Sequence, residues 1–357
     1  MRSLALLLAA VLVCGTVTNV ALAAEEGLCP NPKQMQGFKT CADVEKAEQE
    51  GEVVIYATSP EQVELKVLAR FHDMFPKITP NYLRLQAGAL MAKVQSERQA
   101  QTYLVDAMQV SDMGMILDFQ KKNGYSRYVS PEMSAYNAAY KSEPVGYWTW
   151  GSIGPAGITY NPTTVPADQA PKTWEDVLDP KWTDTVTVKV SNSGLQHVSW
   201  YELRQLYGAD YWKKFAALKP RAFDSYVQQY DRLVNQQDKI IHTGQYSGYL
   251  EWKAKGAPVA FVSPEAGLPA TPETWGLPTN GPHPNAARLF LDWLLSPLGQ
   301  KAITEYLYLH SPRIDVPPPP GGLPITQMRL LLPEDWHAFL ASRPEFAREW
   351  DRLTGMR

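Results

Sequence analysis

Between residues 52 and 110 the chain switches its hydrophobic period back and forth. Glu52-Val53-Val54-Ile55-Tyr56 is a compact apolar run, and Val63, Val67, Leu68, Phe71 and Phe75 then fall on one helical stripe over 61–75. Strand patterns return at 81–85 and 106–110, with a helix over 89–99 between them and another opening near Asp112. This β-α-β-α-β order implies a parallel sheet with helical crossovers.

The stretch YWTWGSIGPAGITY (147–160) breaks the rhythm. It holds two extended runs separated by Gly151, Gly154 and Pro155, with no helix between them, and reads as a crossover between lobes. Alternation then resumes with a short helix at 173–178, a strand at 184–190 feeding a helix from Gly194, and a helix at 210–218. Strands at 221–223 and 239–242 lead to helices at 226–236 and 247–255, and a strand at 258–262 completes the unit. From Pro264 the chain turns Pro- and Gly-rich, a second crossing. Helices follow at 285–295 and 297–306, then a stiff extended run at 316–324 with consecutive prolines, and two surface helices at 334–340 and 345–353.

A chain of 357 residues divides naturally into two lobes, because one core rarely grows past about 250–300 residues. The pattern places the first lobe at 25–153 and 264–357, with the C-terminal helices, and the second at 154–263. Residues 1–24 have the form of a cleaved secretory signal: Arg2, an apolar core from Leu4 to Val13, then Ala21-Leu22-Ala23. Cys14 lacks the small residue that a lipidation site needs before it. No other segment is long and apolar enough to cross a bilayer, so a soluble, exported protein is expected. Removing the signal leaves Cys29 and Cys41, expected to pair in an oxidising compartment.

The candidate chemistry sits where strands feed helices. VKVSNSGLQH (188–197) places Ser191, Asn192, Ser193 and Gly194 at such a turn. Side chains of this kind cap a helix, and the same N–H groups can grip an anion; one turn leaves both readings open. Thr58-Ser59, Ala87-Gly88-Ala89, Asp224-Ser225 and the stretch around Tyr246 repeat the arrangement. In an open parallel sheet, ligands bind outside the carboxyl ends of the strands. The expected donors are therefore Thr58, Ser59, Gly88, Ala89 and Asp112 from the first lobe, and Ser191, Asn192, Ser193, Gly194, Ser225 and Tyr246 from the second. Trp150, near the crossover, would pack on an organic part of the cargo.

A net charge of −3 argues against a nucleic-acid surface. His72, His197, His242, His283, His310 and His337 are scattered without metal-ligand spacing, and only His242 falls near a proposed cleft edge. Neither a G-x-S-x-G elbow nor a phosphate loop is present. No cofactor and no catalysis are expected, and a monomer is.

Four stretches carry a resemblance: GEVVIYATSPEQ (51–62), GPAGITYNP (154–162), KTWEDVLDPKW (172–182) and HPNAARLFLDWLLSPLGQKAI (283–303). They resemble the solute-binding proteins of bacterial ATP-binding-cassette importers, in the branch that includes ferric-iron-binding proteins. The resemblance implies an α/β fold of the type II periplasmic binding class: two lobes, each a mainly parallel sheet flanked by helices, joined by a two-strand hinge. It implies capture of a small anionic or polar solute in the interlobe cleft and delivery to an inner-membrane permease. In ferric relatives a Ser-Gly pair cradles a synergistic anion, and Ser193-Gly194 matches it here. Those relatives use two adjacent tyrosines as iron ligands; here Gln245-Tyr246-Ser247-Gly248-Tyr249 offers one Tyr in place and a second displaced. Some also use a His where this chain has Thr58-Ser59-Pro60. The alternative cargo, ferric iron with an anion, would rest on Tyr246 and Tyr249.

Overall fold

In the computed structural model, which describes residues 27–355, two parallel sheets are fused through a pair of long strands. The expected signal segment lies outside the described residues. At the start, β1 (Lys33–Gln34) and β2 (Lys39–Thr40) form a small ribbon beside the Cys29–Cys41 disulfide. Then come α1 (Val44–Glu50), β3 (Glu52–Ala57), α2 (Glu61–Met74), β4 (Thr79–Arg84), α3 (Ala87–Gln99), β5 (Ala107–Val110), α4 (Met113–Lys121) and β6 (Tyr125–Ser126). β3 pairs in parallel with both β4 and β5. The apolar stripe of α2 closes on this sheet, with Val67, Leu68 and Phe71 buried among Phe290 and Trp293.

β7 (Thr149–Tyr160) leads out of this lobe. The second lobe comprises β8 (Val186–Lys189), α5 (Gly194–Tyr207), α6 (Asp210–Ala216), β9 (Arg221–Phe223), α7 (Tyr226–Val234), β10 (Ile240–Gln245), α8 (Tyr246–Ala254) and β11 (Ala260–Val262). β12 (Leu268–Pro278) returns, followed by α9 (Pro284–Leu295), α10 (Pro297–Tyr306), β13 (Leu330–Leu331) and α11 (Trp336–Thr354). The sheet order is β4-β3-β5-β12-β7-β10-β8-β9. β8 pairs in parallel with β9 and β10, whereas β7 and β12 run antiparallel to each other.

β7 is one continuous strand where the glycines predict two runs. Its first half pairs with β12, from Thr149 opposite Trp275 to Pro155 opposite Ala270, and its second half with β10 and β11. The glycines are there for packing, not for breaking the strand. A side chain on Gly151 would collide with the Trp275 ring, and one on Gly157 with Phe261. β12 is equally continuous and fully buried, so both crossings are strands of the sheet.

The C-terminal segment also departs from the pattern. Two surface helices are predicted; one 19-residue helix forms, with Pro344 inside it. A mid-helix proline removes a hydrogen bond and usually breaks the run. Here Trp336, Phe339, Arg343, Phe346 and Trp350 share one face, and burying that face outweighs the lost bond. Phe346 and Trp350 enter the second-lobe core beside Trp174, Trp200 and Trp212, and Phe339 packs on Leu195 and Val198. Trp336 meets Trp150 of the first lobe edge-on at 6.5 Å. The helix thus grips both lobes. Trp350 also donates its indole N–H to the carbonyl of Lys189 at 2.8 Å.

Trp350→Ala should therefore cost about 3–5 kcal/mol, the range for truncating a fully buried large aromatic. Urea denaturation checks this, and a loss below 1 kcal/mol would show that α11 is dispensable to the second-lobe core.

Candidate ligand-binding cleft

The carboxyl ends of the parallel strands converge from both sides of the crossing. β3 delivers Thr58 and Ser59, β4 ends on Arg84, and β5 delivers Ser111. From the other lobe β8 ends on Lys189, β9 delivers Asp224 and Ser225, and β10 ends on Gln245. Between them lies a cavity of about 30 Å³ lined by Thr58, Ser59, Arg84, Lys189, Gln245 and Glu273 among others. That is room for a water or two, against several hundred Å³ for an organic ligand. The lobes lie close together around it.

The seam around the cavity is tight. A Cβ on Gly194 would strike the carbonyl of Ser111, so only glycine permits this approach of α5 to the first lobe. Gly88 lies against the side-chain oxygen of Asn192. Arg84 reaches across to Asp224 at 2.7 Å.

The ambiguity between capping and ligand binding resolves differently at different turns. Ser193 caps its own helix, accepting from the Gln196 N–H at 3.3 Å, and Ser225 does so in a reciprocal box with Gln228. The helices α2, α3 and α8 begin at Pro60, Gln86 and Gln245 with no side-chain cap. Their free N–H groups give the cleft a positive field, favourable to an anion by up to about 2 kcal/mol in partly buried geometry.

Burial tunes the charges. It pushes the Lys189 ammonium down to about 8, with Arg84 adding to the effect and Asp224 and Glu273 opposing it. Burial likewise raises the Glu273 carboxyl to about 7, against hydrogen bonds from Ser59 at 3.1 Å and Ser152 at 3.4 Å. Behind it, Glu64 on α2 is buried with one oxygen unpartnered. Burial, and then the charge of Glu273, raises Glu64 to about 8. Arg84 Nε, Gln245 Oε1, Gln109 Nε2 and Gln196 Nε2 are buried without partners. Such orphan groups are rare in native interiors and mark places where a further partner fits.

Of the residues expected from the sequence, Thr58, Ser59, Ser193 and Ser225 line the cavity. The Thr58 N–H and hydroxyl both donate to Gln109 Oε1, at 2.8 and 2.9 Å. Gly88, Asn192 and Gly194 form the seam beside it. Ala89 is exposed on the first turn of α3. Asp112 caps α4 and binds Arg343, which also takes the Ser191 carbonyl at 3.2 Å, so both serve to dock α11.

Trp150 faces away from the cavity. A register shift opposite Glu273 and Thr274 leaves Gly151 as an extra residue in β7. Trp150 therefore lies on the sheet face opposite Ser152 and stacks on Tyr140 at 4.5 Å. Tyr246 also points elsewhere. One residue into α8 turns it about 100° from Gln245, and its phenol oxygen accepts from the Leu323 N–H at 3.1 Å. The Tyr249 oxygen accepts from Lys253 at 2.9 Å. His242 sits in the second-lobe core against Tyr211 at 2.7 Å, where burial lowers it to about 3.

Arg84, Lys189, Gln245 and Glu273 are absent from the expected set. A signal existed for Lys189, a lone charge inside the β-branched run Val186-Thr187-Val188-Lys189-Val190. None existed for Glu273, whose role depends on the return strand.

A family model described as bacterial extracellular solute-binding protein matches residues 109–335. The chain belongs to this family. Its members are the solute-binding components of ATP-binding-cassette importers, binding proteins that deliver their ligand to a permease. No curated protein sequence matches the chain. Among solved structures it is similar to the periplasmic binding protein AfuA from Actinobacillus pleuropneumoniae, with fructose-6-phosphate bound. That likeness has a TM-score of 0.76 at 18% identity, over 86% of this chain and 99% of that one. The iron-bound HitA from Pseudomonas aeruginosa gives 0.71 at 18% identity, over 85% and 99%. A substrate-binding protein of an importer from Agrobacterium tumefaciens gives 0.75 at 14% identity, over 86% and 96%. These likenesses establish the type II periplasmic binding fold for this solute-binding protein.

Because Glu64 is raised in the fold, the native state is favoured while the group is protonated. That advantage is complete below about pH 4.5 and is lost as pH rises towards about 8. Glu64→Gln should raise the melting temperature at pH 8 and leave it unchanged at pH 4. Equal melting shifts at both pH values would mean that Glu64 keeps an ordinary carboxyl.

Proposed function

We propose that the cargo is a small organic anion, a phosphate or carboxylate attached to a hydroxyl-bearing body, received in the periplasm and passed to an inner-membrane permease. The carrying observation is that Arg84 and Lys189, one from each lobe, meet at a cavity rimmed by the uncapped starts of α2, α3 and α8. An anionic head there neutralises two cations and accepts free N–H groups. Glu273, Ser59, Thr271 and Gln245 supply acceptors and donors for hydroxyls. Residues 1–24 would direct export, and the receptor works as a monomer. Catalysis is not part of the reading.

Ferric iron is the second reading, prompted by HitA's bound iron. It needs phenolates in the cleft. The Tyr246 and Tyr249 oxygens are instead engaged by Leu323 and Lys253, outside the lining of the cavity. That geometry favours the organic anion.

Calorimetry on ligand-stripped protein tests the choice, with sugar phosphates, sugar acids, inorganic phosphate and neutral sugars. Anionic members should bind, and Arg84→Gln or Lys189→Met should each weaken them about thirtyfold, as expected for removing one partner of a desolvated charge contact. Tight binding of neutral sugars alone, or a coloured protein on ferric loading, would reject the reading. Affinity should also fall between pH 6 and 9, because Glu273 gains charge near 7 and Lys189 loses it near 8. Both changes oppose an anion, so binding takes up protons.

A further inference from the structure

Among the described residues Lys189 is the one buried lysine, with 8% of its surface exposed. It ends β8 on the wall of the cleft cavity, and its backbone is pinned from two sides. The N–H donates to Gln196 Oε1 at 3.1 Å, and the carbonyl accepts from Trp350 at 2.8 Å. The side chain has no such anchor: no ion pair or hydrogen bond engages its ammonium, and Arg84, Asp224 and Glu273 act on it from longer range. Burying an unpaired ammonium is costly. Desolvation and a neighbouring cation are the two conditions that turn a lysine into a nucleophile, because both release its proton. Burial and then Arg84 do this here and bring Lys189 down to about 8, so the neutral amine is populated at ordinary pH.

The cavity suits a small electrophile that becomes an anion. Its volume of about 30 Å³ holds a water or two, close to the size of carbon dioxide. Arg84 has a buried Nε without a partner, and the uncapped starts of α2, α3 and α8 border the space at Pro60, Gln86 and Gln245. Glu273, raised by burial to about 7, is partly in its acid form and donates a hydrogen bond in that form. Its ionised fraction opposes an anion, as does Asp224. Burial works against ionisation of Asp224, but Arg84 and Gln86 outweigh it and hold the carboxyl below its ordinary range. Burial, and then Glu251, keeps Tyr226 on the same wall a neutral phenol.

We propose that Lys189 is a carboxylation site: its amine adds to the carbon of carbon dioxide, and the resulting carbamate takes the anion position beside Arg84. The ammonium first loses a proton. The amine lone pair then forms the N–C bond, one C=O π bond opens onto its oxygen, and the nitrogen releases a second proton to solvent. A cation becomes an anion with no oxidation or reduction. This goes beyond the cargo reading but shares its premise that the cavity favours an anion. Carbon dioxide is thereby a competitor of the cargo, because the carbamate removes the Lys189 charge and fills the space beside Arg84.

The test equilibrates ligand-stripped protein with isotopically enriched bicarbonate and reads the carbamate by carbon NMR. The terminal α-amine also reacts in this pH range, so the signal is the difference between the parent and Lys189→Met. Trapping with an alkyl oxonium salt, followed by peptide mass spectrometry, places the adduct in the parent even if that variant folds poorly. At a fixed level of dissolved carbon dioxide, occupancy should rise as pH passes about 8, since the uncharged amine is the reactant. Arg84→Gln should lower it about tenfold, as for loss of one hydrogen bond to a charged group. Inorganic phosphate should bind more weakly in bicarbonate than in chloride of equal pH and ionic strength. An adduct spread over surface lysines, or unchanged in Arg84→Gln, overturns the proposal. So does the absence of a Lys189 adduct in protein that binds phosphate, which leaves the anionic-cargo reading standing. A Lys189 adduct in protein that binds no phosphate upholds the carboxylation site and removes the cargo reading.

Discussion

The constraint on which the molecule depends is the sharing of two strands. β7 and β12 belong to both lobes at once, so the two parallel sheets cannot be oriented independently. Each sheet points its carboxyl ends at the crossing, and the helix starts follow. Parallel strands need a crossover connection, here mostly a helix that begins close to where the strand ends. The cleft is therefore a consequence of topology before any side chain is chosen. What the side chains add is its charge.

That charge is balanced. Arg84 and Lys189 supply positive charge from opposite sides, Glu273 and Asp224 answer it, and the free starts of α2, α3 and α8 shift the balance towards an anion. Burial makes this balance responsive, because it brings Lys189 and Glu273 close to neutral pH from opposite directions. A surface pair of the same composition would be screened by water and salt. In the buried seam, gain or loss of a single proton changes the local charge balance.

α11 contributes a second link between the lobes. Arg343 ties Asp112 to the Ser191 carbonyl, and Trp350 fixes the backbone of Lys189 from behind. Packing of the tail and positioning of a cleft cation are therefore one structural problem, solved by one buried aromatic face.

The hydrophobic period by itself determined the order of strands and helices, the parallel character of each half and the existence of two crossings. Those features follow from local alternation of apolar and polar positions, which is written in the chain. It did not determine the continuity of β7 through its glycines or of α11 through Pro344, because both depend on partners remote in sequence: Trp275 and Phe261 in one case, the second-lobe core in the other. The site divides in the same way. Thr58, Ser59, Ser193 and Ser225 were legible as small polar residues at strand-to-helix turns. Trp150 and Tyr246 lie away from the cavity because a one-residue shift re-aims a side chain: a bulge turns the one to the opposite sheet face, and a helical step turns the other by about 100°. Arg84, Lys189 and Glu273 come together only when the fold places three charges, far apart in sequence, around one small cavity. No pattern along the chain encodes that distance.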